Sequence, residues 1–457
     1  MRSSVGQMLL SVAVVLEAGA ALAGGPAALR MAAFHCDATP PIGHPLVGGF
    51  SKPVQTVEDP LEARGIVLED QHGRYVLCAL DWCGLANSSY WLVRRKVAEA
   101  AGTEESRIAV HCLHQHTVPL ADGLGRELME KAAGQSKAIP MFDPAVLERL
   151  ADRMAAAVRE SLGRLEPFDR VGTGQARVER VASSRRILLA DGTIATRMSS
   201  TKDPKLQALP EGKIDPYLKT ITLARGDTPL VRLHYYATHP QSFYGDGRVS
   251  SDVPGLARRQ VEGADGVFQV YFTGCAGDVA MGKYNDGAPQ ARSELTARLA
   301  DAMKASIRST QFQPVNRLTW RVVPLLLPLR NEGRFTVDRQ REVLDDPAAP
   351  NAARIDAATY LAFAQRIDRP ILLTSLELGG AMILHLPGEP MVEYQLAAQR
   401  MAPDTFVAVA GYGEYDPIYV CTEAAFSEGG YEPTEAWSAP HSEQILKKAI
   451  HDLLGRP

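Results

Sequence analysis

Residues 107–119 read Arg-Ile-Ala-Val-His-Cys-Leu-His-Gln-His-Thr-Val-Pro, and their interpretation decides the fold. The apolar and β-branched run from Arg107 to Leu113 predicts a buried strand. It ends in a His114-Gln115-His116 pair, and Pro119 closes the segment. Residues two apart on extended chain point to one side, so His114 and His116 can face a common metal or substrate. His111 falls on the opposite face of a regular strand and reads as a structural histidine.

Outward from this stretch the same grammar recurs. Short β-branched runs occur at Arg74–Leu80, Leu230–Tyr236, Val267–Thr273, Ala381–Leu386 and Thr405–Ala410. Amphipathic helical patterns lie at Trp91–Ala101, Pro144–Leu162, Ala291–Ser309 and Ser442–Leu454. Their alternation predicts an α/β fold with a mixed, largely parallel sheet flanked by helices. Asn316–Leu327 reads as a further strand, and Pro324 consigns it to an edge or an antiparallel ribbon. A helical pair is expected around Glu342–Asp368, and polar loops at Thr201–Pro216 and Asp345–Asn351. No repeat interrupts the chain, so residues 24–457 read as one catalytic domain.

The unusual polar residues follow the predicted strands. Asp81, His114, His116, His239, Asp278, Glu389 and Tyr412 all lie just past a strand's carboxyl end, where α/β sheets bind ligands. His239 sits in Ala-Thr-His-Pro-Gln, with Pro240 stopping the strand. Glu389 sits in Leu-Pro-Gly-Glu-Pro, where Gly388 permits a tight turn. Neutral imidazole is the commonest metal ligand, so histidines at strand ends with one carboxylate predict a metal site there. Ser250-Ser-Asp252 reads either as a partner orienting a histidine or as the cap of a helix starting near Pro254. The small-residue turn Thr273-Gly-Cys-Ala-Gly-Asp278 suits close approach of backbone to ligand. H-E-x-x-H, G-x-S-x-G and the phosphate-binding G-x-x-x-x-G-K-[ST] are absent.

Composition narrows the function classes. The 457 residues carry 49 basic and 53 acidic side chains, a formal net charge of -4, so no basic excess is available for nucleic acid. Arg2, an apolar run from Met8 to Leu16 and Ala21-Leu22-Ala23 read as a signal peptide over residues 1–23, implying a secreted or periplasmic protein. Glu17 breaks that run, which is shorter than the roughly 20 residues a membrane span needs. The six cysteines are irregularly spaced, and one or two disulfides are open to them.

Taken in order, Asp81, the His114-x-His116 pair, Ala-Thr-His239-Pro, Gly277-Asp-Val279, Pro387-Gly-Glu389, and Tyr419 with Tyr431 resemble the catalytic part of the neutral/alkaline, non-lysosomal ceramidases. The similarity runs from Thr39-Pro-Pro-Ile-Gly to about Tyr431. The resemblance implies one zinc ion per chain held by His114, His239, Glu389 and Tyr419. It also implies that Tyr431 hydrogen-bonds the substrate carbonyl or oxyanion and that His116 contacts substrate or water. The expected activity is hydrolysis of an N-acyl amide, ceramide or a related lipid, by metal-activated water, with transient membrane-surface contact allowed. Ala280 replaces the family's serine, Thr-Val-Pro follows His116 in place of Ser-Gly-Pro, and no C-terminal β-sandwich is expected before Pro457. Three alternatives stand beside this reading. One is a zinc hydrolase of another ester, lactone or acylated sugar; another is a non-catalytic metal-binding homologue. The third is a two-metal phosphoesterase using Asp81, His116 and Asp252. Oligomeric state is left open.

Overall fold

The computed structural model describes residues 28–134 and 139–455. The signal-peptide assignment at 1–23 lies outside them. Among the described residues no helix is long and apolar enough to cross a membrane.

Three sheets carry the architecture. The first contains β1 (Arg30–Asp37), β2 (Glu62–Asp70), β3 (Gly73–Leu80) and β4 (Ile108–Cys112), in the order β4-β3-β2-β1, with Glu166–Pro167 at its edge. The second contains β5 (Arg170–Arg177), β6 (Tyr217–Arg225), β7 (Thr228–Tyr236) and β8 (Phe268–Thr273), in the order β8-β7-β6-β5, edged by Gln311–Pro314. The third is β9 (Leu318–Leu325), β10 (Ile371–Leu378), β11 (Ala381–His385) and β12 (Phe406–Ala410), in sequence order.

The expectation of a largely parallel sheet is corrected here. Each sheet holds one parallel pair, β3 with β4, β7 with β8, and β11 with β12; the other pairings among β1–β12 are antiparallel. The six strands legible from their β-branched runs are those three parallel pairs, which are largely buried and mostly apolar, with buried polar exceptions such as His111, Arg232, His234 and Gln269. Their antiparallel partners carry mixed sequences such as Glu62-Ala-Arg-Gly-Ile-Val-Leu-Glu-Asp70, in which Arg64 is buried through ion pairs to Glu62 and Glu262. Two-residue hairpins, Gln71-His72, Gly226-Asp227 and Gly379-Gly380, join them to the parallel strands. Gly226 and Gly379 take positive φ (56° each), which such turns favour glycine to adopt.

Each parallel pair is connected across a helix, as parallel strands require. Asn87–Ala101 links β3 to β4, Asp252–Asp265 links β7 to β8, and Val392–Met401 links β11 to β12. The first two end on Gly102 and Gly266 in the left-handed conformation, which closes the last helical turn. The edge position of β9 with Pro324, and the helices Val337–Asp345 and Asn351–Gln365, agree with the sequence reading.

Packing follows strand alternation. In β11, Ala381 and Ile383 face a central core shared with β2, β3, β6 and β7, whereas Met382 and Leu384 face an outer core closed by the helix Ser442–Leu454. In β2, Ile66 and Leu68 enter the central core and Val67 the core beneath Asn87–Ala101 and Pro144–Ser161. Each fully buried Leu or Ile contributes roughly 1.5–3 kcal/mol. All three sheets thus share one apolar interior. That interior fixes where the carboxyl ends of the parallel strands meet.

Candidate metal and substrate site

His114 lies two residues past β4, His239 three past β7 and Glu389 four past β11, so each of the three parallel pairs delivers one side chain to a single point. His114 Nε2 and His239 Nε2 are 3.0 Å apart. Glu389 Oε2 is 3.3 Å from each. All three side chains are buried.

Their orientation is imposed from behind. His114 Nδ1 donates to the carbonyl of Cys83 (2.7 Å) and His239 Nδ1 to that of Ala276 (2.9 Å), which leaves both Nε2 lone pairs aimed at the centre. Tyr415 Oη donates to Glu389 Oε1 at 2.7 Å, while Glu389 Oε2 has no hydrogen-bond partner. A buried carboxylate oxygen without a donor is costly unless a cation satisfies it. Two imidazole nitrogens and this oxygen form a donor set that fits a divalent cation. His114 holds φ at 72°, and Tyr412, whose ring stacks on His114 at 4.4 Å, holds φ at 59°. Such backbone strain in non-glycine residues concentrates at functional sites.

The charges are strongly coupled. Burial opposes a charge on His114, but the Glu389 carboxylate outweighs it and pushes the imidazole up to about 10. Burial and then the His114 charge push His116 down to about 3. Glu389 is held well below the usual carboxylate range, because the two histidines and Arg185 overcome its burial. Without a cation, one proton on His114 performs the neutralisation.

A cavity of about 380 Å³ opens beside this cluster, and its walls include His116, Glu389, Tyr415, Tyr419 and Tyr431. His116 Nε2 is 3.3 Å from His114 Nε2, so the two imidazoles converge as their spacing predicts. Tyr419 pairs with Glu389 in a short parallel bridge, and its ring meets Tyr431 edge-on at 5.8 Å. Both tyrosines are therefore brought to the cavity. Leu120 and Asp122 line the wall as well.

The remaining strand-end residues serve the fold. Asp81 is fully buried and receives two hydrogen bonds from Arg258, both at 2.9 Å. Asp252 is the first residue of its helix, where the N-cap Ser251 makes no side-chain capping bond; the Asp252 carboxylate accepts from Val253 N (2.6 Å) and ties the helix start to Ser242 N (2.9 Å). Asp278 accepts from Val392 N at 2.7 Å. Among the described residues Asp81, His116 and Asp252 form no joint ligand group. His111 Nδ1 donates to Gly411 O at 2.6 Å and its ring lies tilted against His385 at 5.3 Å, a structural histidine as read. Ala280 is buried in a short strand paired with Ser183 and does not line the cavity. All six cysteines are free thiols.

Three residues escaped the sequence reading. Tyr415 had a signal, the aromatic and acidic run Gly411-Tyr-Gly-Glu-Tyr-Asp-Pro417 after β12. Asp122 had only its place after a short apolar run. Arg185 had none: in Ser-Ser-Arg-Arg it resembles a surface residue, yet it is buried. It donates to Tyr419 Oη (3.0 Å), to Gly277 O and to Glu432 Oε1 (3.0 Å).

Fold and cluster together define an α/β protein with a buried His-His-Glu group at the mouth of a cavity. No protein-family model and no curated protein matches the sequence. Among solved structures, neutral ceramidase from Pseudomonas aeruginosa superposes with a TM-score of 0.68 at 15% identity, over 93% of this chain and 74% of that one. A second structure, a ceramidase complexed with C2, gives 0.67 at 14% identity, over 93% and 75%. The chain has a neutral ceramidase-like fold.

Proposed function

We propose that the protein is a zinc-dependent hydrolase that cleaves the amide bond of an N-acyl compound, ceramide or a related lipid. The observation that carries this reading is the convergence of His114 Nε2, His239 Nε2 and Glu389 Oε2, which receives no hydrogen bond, beside a cavity. Similarity of fold to ceramidases supports the choice of amide.

His114, His239 and Glu389, with Tyr419, would hold one zinc ion. When bound, zinc supplies an activated water and polarises the scissile carbonyl, so no serine at position 280 is required. The carbonyls of Cys83 and Ala276 keep the two imidazoles in the tautomer whose Nε2 faces inward. Tyr415 fixes the Glu389 carboxylate through Oε1. Tyr431 and His116 stand at the cavity wall to hydrogen-bond the carbonyl oxygen as it gains charge. The signal-like N-terminus adds that the enzyme acts in a secreted or periplasmic setting.

The test is turnover of a fluorogenic N-acyl-sphingosine by purified protein, with metal content measured in parallel. Activity should vanish with a chelator, return with zinc, and be absent together with zinc in His239→Ala. Retained activity in zinc-free protein overturns the reading.

A further inference from the structure

The cavity beside the cluster has a consistent electrostatic character. Its lining includes four carboxylates, Asp122, Asp356, Glu389 and Glu435, and among the described residues no lysine or arginine. Glu389 belongs to the metal cluster, and Glu435 is paired with Arg334 at 3.2 Å. The other two are differently placed. Asp122 is buried, and its Oδ1 is occupied by Asn87 Nδ2 (2.7 Å) and Gly125 N (2.7 Å), whereas Oδ2 makes no hydrogen bond among the described residues. The Asp356 carboxylate, half-buried on the helix Asn351–Gln365, makes neither hydrogen bond nor ion pair among them. The buried face of Trp437 lines the same wall.

Carboxylate oxygens are acceptors only, and carboxylate oxygens at a cavity wall that receive no hydrogen bond from the protein can be satisfied by a ligand that brings donors. An aromatic face beside them favours a cation further. We propose that Asp356 and Asp122 Oδ2 select substrates whose amine-side half carries an ammonium or hydroxyl-rich head and exclude those whose head is anionic. This specificity rests on the hydrolase reading for its meaning but not for its geometry. Burial, and next the Glu435 charge, push the Asp356 carboxyl up to about 6, against the pull of Arg334, so a positive partner would relieve it. The volume of about 380 Å³ lies toward the small end of ligand pockets, roughly 300–1,000 Å³, which suits a head and the reacting centre rather than an entire two-chain lipid.

The experiment uses the zinc-loaded full chain at pH 7.5 and two eight-carbon probes, octylammonium and octyl sulfate, by titration calorimetry. Octylammonium should bind at least about tenfold more tightly, and Asp356→Asn should remove most of that preference. Equal binding of the two probes by the unaltered protein overturns the inference, whether or not the variant folds. So does a preference that Asp356→Asn and Asp122→Asn both leave intact. In parallel, kcat/KM for the N-octanoyl amide of a diamine is compared with that for the N-octanoyl amide of an amino acid. A ratio above about ten that falls in Asp356→Asn supports the selection. If neither amide nor N-acyl-sphingosine is cleaved while the binding preference holds, the hydrolase reading fails and the cation-selecting cavity stands.

Discussion

Replacing Tyr415 by Phe isolates one interaction on which the proposed zinc site depends. The phenol donates to Glu389 Oε1 at 2.7 Å, in a buried setting, and its ring also stacks near His114 at 5.7 Å. Phenylalanine keeps the ring and deletes only the donor. A hydrogen bond to a charged group is worth about 1.5–3 kcal/mol. Its loss leaves both carboxylate oxygens without a protein hydrogen bond, Oε2 keeping only its 3.3 Å approach to the two imidazoles. At about 1.4 kcal/mol per decade, zinc affinity should fall between roughly tenfold and 150-fold, the scale on which groups behind metal ligands act. Competition against a fluorescent chelator measures that change directly, and circular dichroism of the metal-free protein checks that the fold is retained. A dissociation constant within threefold of the parent would refute the argument, because Glu389 would then need no fixing.

Three further predictions follow from other parts of the structure. Asp81→Ala should cost up to about 3–5 kcal/mol by leaving the buried Arg258 guanidinium with Glu62 alone, visible in denaturant melts, while the folded fraction keeps its zinc stoichiometry. Tyr431→Phe should lower kcat about 100-fold with zinc content unchanged, as loss of one oxyanion donor does in other hydrolases. The third concerns the buried acids around Asn87. Burial and then the Asp416 charge push Asp122 up to about 7, and burial pushes Asp416 up to about 6 against Arg366 and Asn87. Carboxyl values raised on folding confer stability that is present below the ordinary Asp value near 4 and lost as pH rises through about 6 to 7. Asp416→Asn should therefore raise Tm relative to the parent at pH 8 and lose that advantage at pH 5; thermal melts showing the opposite order would reject the assignment.

What could be read in advance depended on how each residue is surrounded. The strands of the three parallel pairs are mostly apolar and announced themselves, as did the histidines and glutamate that follow them. Their antiparallel partners did not, because β2 balances Arg64 with Glu62 and Glu262 and so looks like a surface segment until the ion pairs are seen. The same limit hid Arg185, whose burial depends on Tyr419, Gly277 and Glu432, residues distant in the chain. Asp81 shows the converse. Its position after β3 suggested chemistry, but a charged residue at a strand end can equally anchor the next layer, here through Arg258. Position alone could not separate the two roles; the partner decides.

The convergence of three sheets on one point bears on the order of events during biosynthesis. His114, His239 and Glu389 are separated by more than a hundred residues each, and each is positioned only once its own strand-helix-strand unit has docked on the shared interior. Contacts closed over such spans form late, after local units have organised. A metal bound there would have no half-built site to enter: an intermediate with two sheets assembled offers at most two of these three side chains. Metal loading would then be a terminal step of maturation, and if the proposed zinc site holds, zinc in a refolding mixture should raise the yield of native protein without hastening the early phases.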